Sequence, residues 1–341
     1  MEATVIWGEP PPSKKKIGAA LRGHQMTLTP FIWRKLRPLP RPTTERWKTE
    51  LIDPKVGPVE LTGRLLRQDG SDRGEPLRAG VVVVVHGLGG SAASGYMALA
   101  LRACERAGKN CLLLNLRGAD LRGQDFNHAG LVDDIDAAVD SYELKQAPSV
   151  DLFGYSLGGH LSLAYGCRAP SPRLRRIAAI CSPLLLDQSA ATFDAPKWSV
   201  YRRHVMESLH GIYSVAYQRN PAGLSPIEAR KIHHIREWDE RIVAPRYGFS
   251  GADEYYRKVS VGFQLDELKR EALYVGAPFE PMIQPNSVYP ALQKTDSPRL
   301  HTAWDTDAGH LGFSARFSLG IAGELGMEEQ VIAWLSLPTQ G

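Results

Sequence analysis

Residues 150–160 read VDLFGYSLGGH, and the middle of this run, Gly154-Tyr155-Ser156-Leu157-Gly158, sets a serine between two glycines at the spacing G-x-S-x-G. Residues 150–153 read as a short buried strand. Residues 157–167 read as a helix, because Leu157, Leu161 and Ala164 fall at i, i+4 and i+7. A serine on a sharp strand-to-helix turn has a strained backbone. Bulky residues two positions away would collide across that turn, and glycines avoid the collision. The Ser156 hydroxyl would project from the C-terminal edge of a sheet, at a helix N-terminus, where backbone N–H groups favour developing negative charge. That arrangement suits nucleophilic attack on a carbonyl. Such attack needs a base, a group to orient the base, and donors for the oxyanion. The five residues also fit an ordinary strand–turn–helix junction, so the remaining parts decide between the two.

The expected chain order is Ser, acid, His. Of ten histidines, His310 in DAGHLGF follows the last strand pattern and has a glycine before it; His301 lies inside that strand pattern, and His233 and His234 fall further upstream. His310 is therefore the expected base. The acid should follow the strand before the last, where VGAPFEPMIQP offers Glu280 as its one carboxylate. Asp187, six residues past an earlier strand pattern, competes for this role, whereas Asp305 and Asp307 stand too close to His310 in sequence to turn back on it. The oxyanion donors are expected to be the backbone N–H of Leu157, after the nucleophile, and of Leu88 in the glycine-rich loop HGLGGS.

That loop also fits a dinucleotide fingerprint, Gly87-x-Gly89-x-x-Ala92, with Arg117 placed where an NADP enzyme would bind a phosphate. The dinucleotide reading leaves His86, the serine turn and DAGHLGF unexplained. No HExxH or comparable ligand spacing occurs, so neither metal nor cofactor is expected. The four cysteines sit in apolar patterns without a CxxC and read as reduced core thiols of a cytoplasmic chain. The N-terminus lacks a basic region followed by an apolar core, and no run approaches the roughly 18 apolar residues of a membrane span. Residues 1–50 carry ten Lys/Arg against four Asp/Glu. Residues 14–46 could thus touch anionic lipid, although a solvated arm packed on the flank fits as well. No zinc finger or aromatic–basic interleaving points to nucleic acid.

These parts need a scaffold. Residues 1–45 read as an irregular, Pro-rich arm. Residues 47–52 and 59–66 alternate like an antiparallel strand pair. Five valines, Val81–Val85, read as a strand buried on both faces. Strands and helices then alternate: a helix carrying Met97, Leu101 and Cys104, a strand at 111–116, a helix with Leu131, Ile135, Val139 and Tyr142 in register, the Ser156 turn, and a strand at 177–181. Such alternation means a mainly parallel sheet with helices on both faces. From 185 to 271 the rhythm breaks into a strand-free stretch with ten aromatics between Phe193 and Tyr256, read as a mostly helical cap. Strands resume at 272–275 and 300–304, and a helix closes the chain near 328–335. The core is thus expected in two parts, 46–184 and 272–341.

With these residues in place, the chain resembles the YheT-like branch of the α/β-hydrolases over most of its length. GHQMTLTP is similar to that family's N-terminal His-x-Gln-Thr region; VVHGLGGS, NLRG, NHAG, GYSLGG, ICSPLLL and GHLGF follow in the family's order. Residues 235–260, IREWDERIVAPRYGFSGADEYYRKVS, resemble a segment peculiar to the branch. The resemblance implies the α/β-hydrolase fold and a serine hydrolase acting on carboxylic esters, lipid-derived ones among them, with Ser156 as nucleophile and His310 as base. The family commonly has Asp-Asp-Pro where this chain has Phe279-Glu280-Pro281, so Glu280 replaces the second aspartate. This altered acid loop supports a second reading, a non-catalytic or weakly active binding protein on the same scaffold.

Overall fold

The computed structural model describes residues 5–9, 11, 17–37, 39–168 and 170–338. Among them, nine strands form one sheet: β1 (Val5–Trp7), β2 (Glu45–Asp53), β3 (Gly57–Leu66), β4 (Val81–Val85), β5 (Asn110–Asn115), β6 (Val150–Tyr155), β7 (Leu174–Ile180), β8 (Glu271–Gly276) and β9 (Leu300–Asp305). Their order is β1-β9-β8-β7-β6-β4-β5-β3-β2. The six strands from β5 to β9 across the middle pair in parallel, while β3, β2 and β1 add antiparallel edges.

The five valines of β4 explain the layering. Val81, Val83 and Val85 pack into one core with Ile135, Leu161 and the cap. Val82 and Val84 pack into the other, against Met97, Leu101, Val331 and Ile332. Residues alternate between faces because side chains along a strand have period two. After β4 the chain first adds β5 on one side and then crosses to add β6 on the other. In parallel sheets the crevice at such a reversal, outside the C-terminal strand ends, is where ligands bind. The loop after β4 and the turn after β6 both open there.

Between β7 and β8 the described residues hold only helical elements, chief among them Leu186–Asp194, Ser199–Arg219 and Ala252–Val259. One turn, Asp239–Val243, is π-helical. Tyr213, Trp238, Tyr255 and Tyr256 are buried. All four cysteines are free and buried. No helix among the described residues is long and apolar enough to cross a membrane.

Two expectations are corrected. The helix before β6 is shorter than its apolar register suggests. It spans Asp133–Val139 and ends at Asp140, so Tyr142 lies beyond it, exposed. The larger correction concerns residues 1–45, whose described residues include two regular elements. β1 pairs with the free edge of β9, and a 20-residue helix spans Ile17–Leu36. Pro30 lies within those bounds, and local sequence reads a proline there as a break. Tertiary contact overrides that tendency: Arg22 pairs with Asp307, His24 Nδ1 meets Tyr201 Oη at 2.9 Å, and Thr27 is buried. Lys14 to Lys16 lie outside the described residues. Of the segment's other cations, Arg41 donates to the carbonyls of Ala92, Ala93 and Ser94.

Candidate active site

Ser156 sits between β6 and the Leu157–Cys167 helix with φ 51° and ψ −119°. A non-glycine residue in that region is strained and persists only where its surroundings impose it. The surroundings here are backbone. A Cβ on Gly154 would lie 2.3 Å from the Gly158 carbonyl oxygen, and one on Gly158 would lie 2.2 Å from that of Val85. Both positions therefore require glycine, and the Ser156 amide is tied to the Ile180 carbonyl at 2.8 Å.

His310 stands on the loop after β9, in a tight turn closed by mutual hydrogen bonds between Gly309 and Gly312. Leu311, beside it, has φ 57°. His310 Nδ1 lies 3.2 Å from Glu280 Oε1. Their side chains are 7% and 1% exposed, so the pair is shielded from water. Glu280 is fixed from behind. Its Oε2 accepts the Met282 N–H at 2.6 Å, and its Oε1 accepts that of Ile283 at 2.7 Å. Asp187 is elsewhere, exposed in the first turn of the Leu186–Asp194 helix beside Gln188. Asp305 is buried, with Oδ1 taken by the Asp307 N–H. Burial raises the Asp305 carboxyl above the usual range.

Ser156, His310, Leu88 and Leu157 all border one cavity of about 680 Å³. Among the described residues no hydrogen bond joins Ser156 Oγ to the imidazole; in unliganded sites such bonds are commonly long and tighten with substrate. Leu157 is the first residue of its helix, so its N–H has no acceptor within the helix. The loop carrying Leu88 approaches closely: a Cβ on Gly87 would lie 3.1 Å from Ser156 Cβ. His86, which the sequence analysis left without a role, holds this loop. Its Nδ1 lies 2.8 Å from the Gly87 carbonyl and its Nε2 accepts the Leu116 N–H at 3.2 Å. Burial pushes this imidazole down to about 4, so it is neutral.

The cavity walls are mainly apolar, with Phe193, Val205, Leu209, Trp238 and Val243 supplied by the cap. The polar lining includes His128, pushed down to about 3 by burial, and Asp239, raised to about 7 by burial while accepting from Tyr256 Oη at 2.7 Å. Arg117 is not available to a cofactor phosphate. It is fully buried, bonded to Asp134 and Asp53. Cys181, Glu280 and His310 bring ligand-type atoms within 4.8 Å of one another. They make a poor metal site, because Glu280 and His310 already engage each other and burial keeps the Cys181 thiol protonated.

An elbow serine at a sheet reversal, bordering the same cavity as a buried His–carboxylate pair, is an arrangement that fits a hydrolase class. The chain belongs to the alpha/beta hydrolase family, whose family model matches residues 82–331. It is 25% identical over 266 residues to the provisionally named esterase YheT of Escherichia coli (strain K12), a match taking in 75% of this chain and 76% of YheT. It is 24% identical over 265 residues to medium-chain fatty acid ethyl ester synthase/esterase 2 of Saccharomyces cerevisiae, across 68% of this chain and 58% of that protein. A solved acylaminoacyl peptidase structure with a bound chloromethyl ketone overlays with a TM-score of 0.50 at 17% identity, over 86% of this chain and 40% of that one; this likeness concerns the fold alone.

Proposed function

We propose that the protein hydrolyses carboxylic esters through a Ser156–His310–Glu280 triad and an acyl-enzyme. His310 Nε2 accepts the Ser156 hydroxyl proton as Oγ bonds to the ester carbonyl carbon. The carbonyl oxygen takes the negative charge between the Leu88 and Leu157 N–H groups. The C–O bond to the alcohol then breaks and His310 returns the proton to the departing oxygen. Water, deprotonated by the same nitrogen, next attacks the acyl-enzyme; collapse regenerates Ser156 and releases the acid. Glu280 accepts the Nδ1–H throughout, which keeps Nε2 free as the base and favours the imidazolium when it forms.

The observation that carries this reading is the buried His310–Glu280 contact on the cavity that Ser156 borders. The mainly apolar cavity and the esterase names of the relatives support esters with an apolar acyl group, and the yeast relative's name points to medium chain length. Labelling by a fluorophosphonate probe, with Ser156→Ala as control, tests the nucleophile. Wild-type labelling that the variant lacks is expected. An unmodified wild-type chain would favour the binding-protein reading instead. Turnover of p-nitrophenyl esters of increasing chain length then locates the preferred acyl group.

A further inference from the structure

The GHQMTLTP stretch is a motif of the sequence that the proposed mechanism does not use. The structure puts it on the Ile17–Leu36 helix, against both loops that carry the proposed acid and base. Thr27 is buried, and its Oγ1 accepts the backbone N–H of His310 at 2.7 Å. The same hydroxyl donates its own proton to the Gly23 carbonyl at 2.8 Å, one turn earlier. With its proton committed there, the oxygen's lone pairs are left for His310. The backbones touch as well. A Cβ on Gly309 would lie 2.5 Å from both the Gly23 oxygen and the Thr27 nitrogen, and a Cβ on Gly23 would lie 2.2 Å from the Phe279 oxygen. One helical turn thus braces the loop after β8 through Phe279 and the loop after β9 through Gly309 and His310.

The bracing matters because Glu280 and His310 come from separate strands, so their two loops must be held in register with each other. Beyond the Gly309–Gly312 closure, His310 is held through Nδ1 at its side chain and through Thr27 at its main chain. Two points fix the ring's position and direction; one leaves it free to pivot about the Glu280 contact. The helix is itself pinned by Arg22 on Asp307 at 2.6 Å and by His24 against Tyr201 of the cap.

We infer that Thr27, on the turn begun by Gly23, is a positioning residue for the reaction: it sets the His310 imidazole over Ser156 through the His310 main chain. This inference rests on the triad reading above. Displacing a reacting group by about 1 Å can cost about 10²-fold. Thr27 also lines the cavity, but it meets His310 through the backbone, so the effect belongs on kcat rather than on substrate affinity.

The test compares Thr27→Val, which keeps shape but loses the acceptor, with Thr27→Ser, which keeps the acceptor. Both kcat and KM on a p-nitrophenyl ester are measured alongside the fluorophosphonate labelling rate. The expected result for Thr27→Val is a kcat lower by about 10- to 100-fold, slower labelling and KM within about 2-fold, with Thr27→Ser restoring kcat to within about 3-fold. Thr27→Ala serves in its place where the valine variant melts well below wild type. The inference is overturned if Thr27→Val and Thr27→Ala retain wild-type kcat and labelling rate, or if Thr27→Ser is as impaired as Thr27→Val. A wild-type chain that does not label removes the triad reading, and this inference with it; a wild-type chain that labels while the Thr27 variants match it removes this inference alone.

Discussion

Glu280 receives three donors: the N–H groups of Met282 and Ile283 and the Nδ1 of His310. A carboxylate held by two backbone amides cannot follow a drifting ring, so the ring must conform to it. The side chain reaches both amides and the imidazole, and its length is accommodated within that amide cradle. Glu280→Gln is isosteric, but it can offer an amide N–H to Nδ1 and so stabilise the tautomer that lacks a basic Nε2. A fall in kcat of about 10²- to 10⁴-fold is expected, read on a chromogenic ester. Asp187→Asn, at an exposed carboxylate bonded to Gln188 rather than to the imidazole, should leave turnover unchanged. The reverse pattern would move the acid to Asp187.

At the scale of elements, the segments around the cavity are tied by a buried charge cluster. Arg117, on the loop after β5, bonds to Asp134 in the first turn of the Asp133–Val139 helix and to Asp53 at the end of β2. Asp125 joins it at 3.9 Å, and the cap's Arg246 reaches Asp125 at 3.1 Å. Strand, helix, loop and cap thus meet at one guanidinium with no exposed side-chain surface. Removing the cation alone strands carboxylates away from water. Arg117→Met should therefore cost about 3–5 kcal/mol, measured as a lower midpoint of urea unfolding at pH 7. A midpoint shift equivalent to less than about 1 kcal/mol would mean that the cluster relaxes or hydrates when opened.

Over the whole molecule, buried titrating groups couple stability to pH in two opposing senses. Burial pushes His86, His128 and His160 down, the first two to about 4 and about 3. Unfolded imidazoles bind protons below about 6.5, so unfolding takes up protons as the pH falls from there toward the folded values. Stability from these groups is complete above about 6.5 and is lost on acidification, by about 1.4 kcal/mol per pH unit for each net proton. Asp239 acts in the opposite sense. Raised to about 7, it holds its proton in the folded state and releases it on unfolding above about 3.9, so it destabilises as pH rises toward 7. Burial raises the Asp134, Asp151 and Asp305 carboxyls as well, so they act with Asp239, while His210 is lowered with the other imidazoles. The two senses separate in variants: between pH 6.5 and pH 4.5, His128→Phe should lose less stability on acidification than the wild type, and Asp239→Asn should lose more, both read as urea midpoints. Variants whose midpoints track the wild type across that range would contradict the neutral, buried state of His128 and the protonated state of Asp239.

Local sequence carried much of the architecture because its strongest signals are short-range. Five consecutive valines have no stable place except a strand covered on both faces. Of the two glycines flanking Ser156, Gly154 answers a clash with the backbone of Gly158 in the same turn, which is local, whereas Gly158 answers one with Val85 on the neighbouring strand. Positions such as Ser156, Glu280 and His310 could be singled out because chain order in this fold is constrained. The helix at Ile17–Leu36 could not. Its own pattern is weak and proline-interrupted, and what holds it is contact with loops some 250 to 290 residues away in sequence. Likewise nothing in residues 276–286 separates Glu280 from Asp187 as the partner of His310; only the pairing of β8 between β7 and β9 brings that carboxylate to the ring. The amino-acid sequence by itself determined where β2 to β9 run, where the chain turns sharply and which side chains could react, since these follow from local sterics and periodicity. The tertiary structure alone decided which carboxylate meets the imidazole and that the N-terminal helix braces it, because such contacts depend on how distant segments pack, and pairwise packing leaves no periodic trace in either partner.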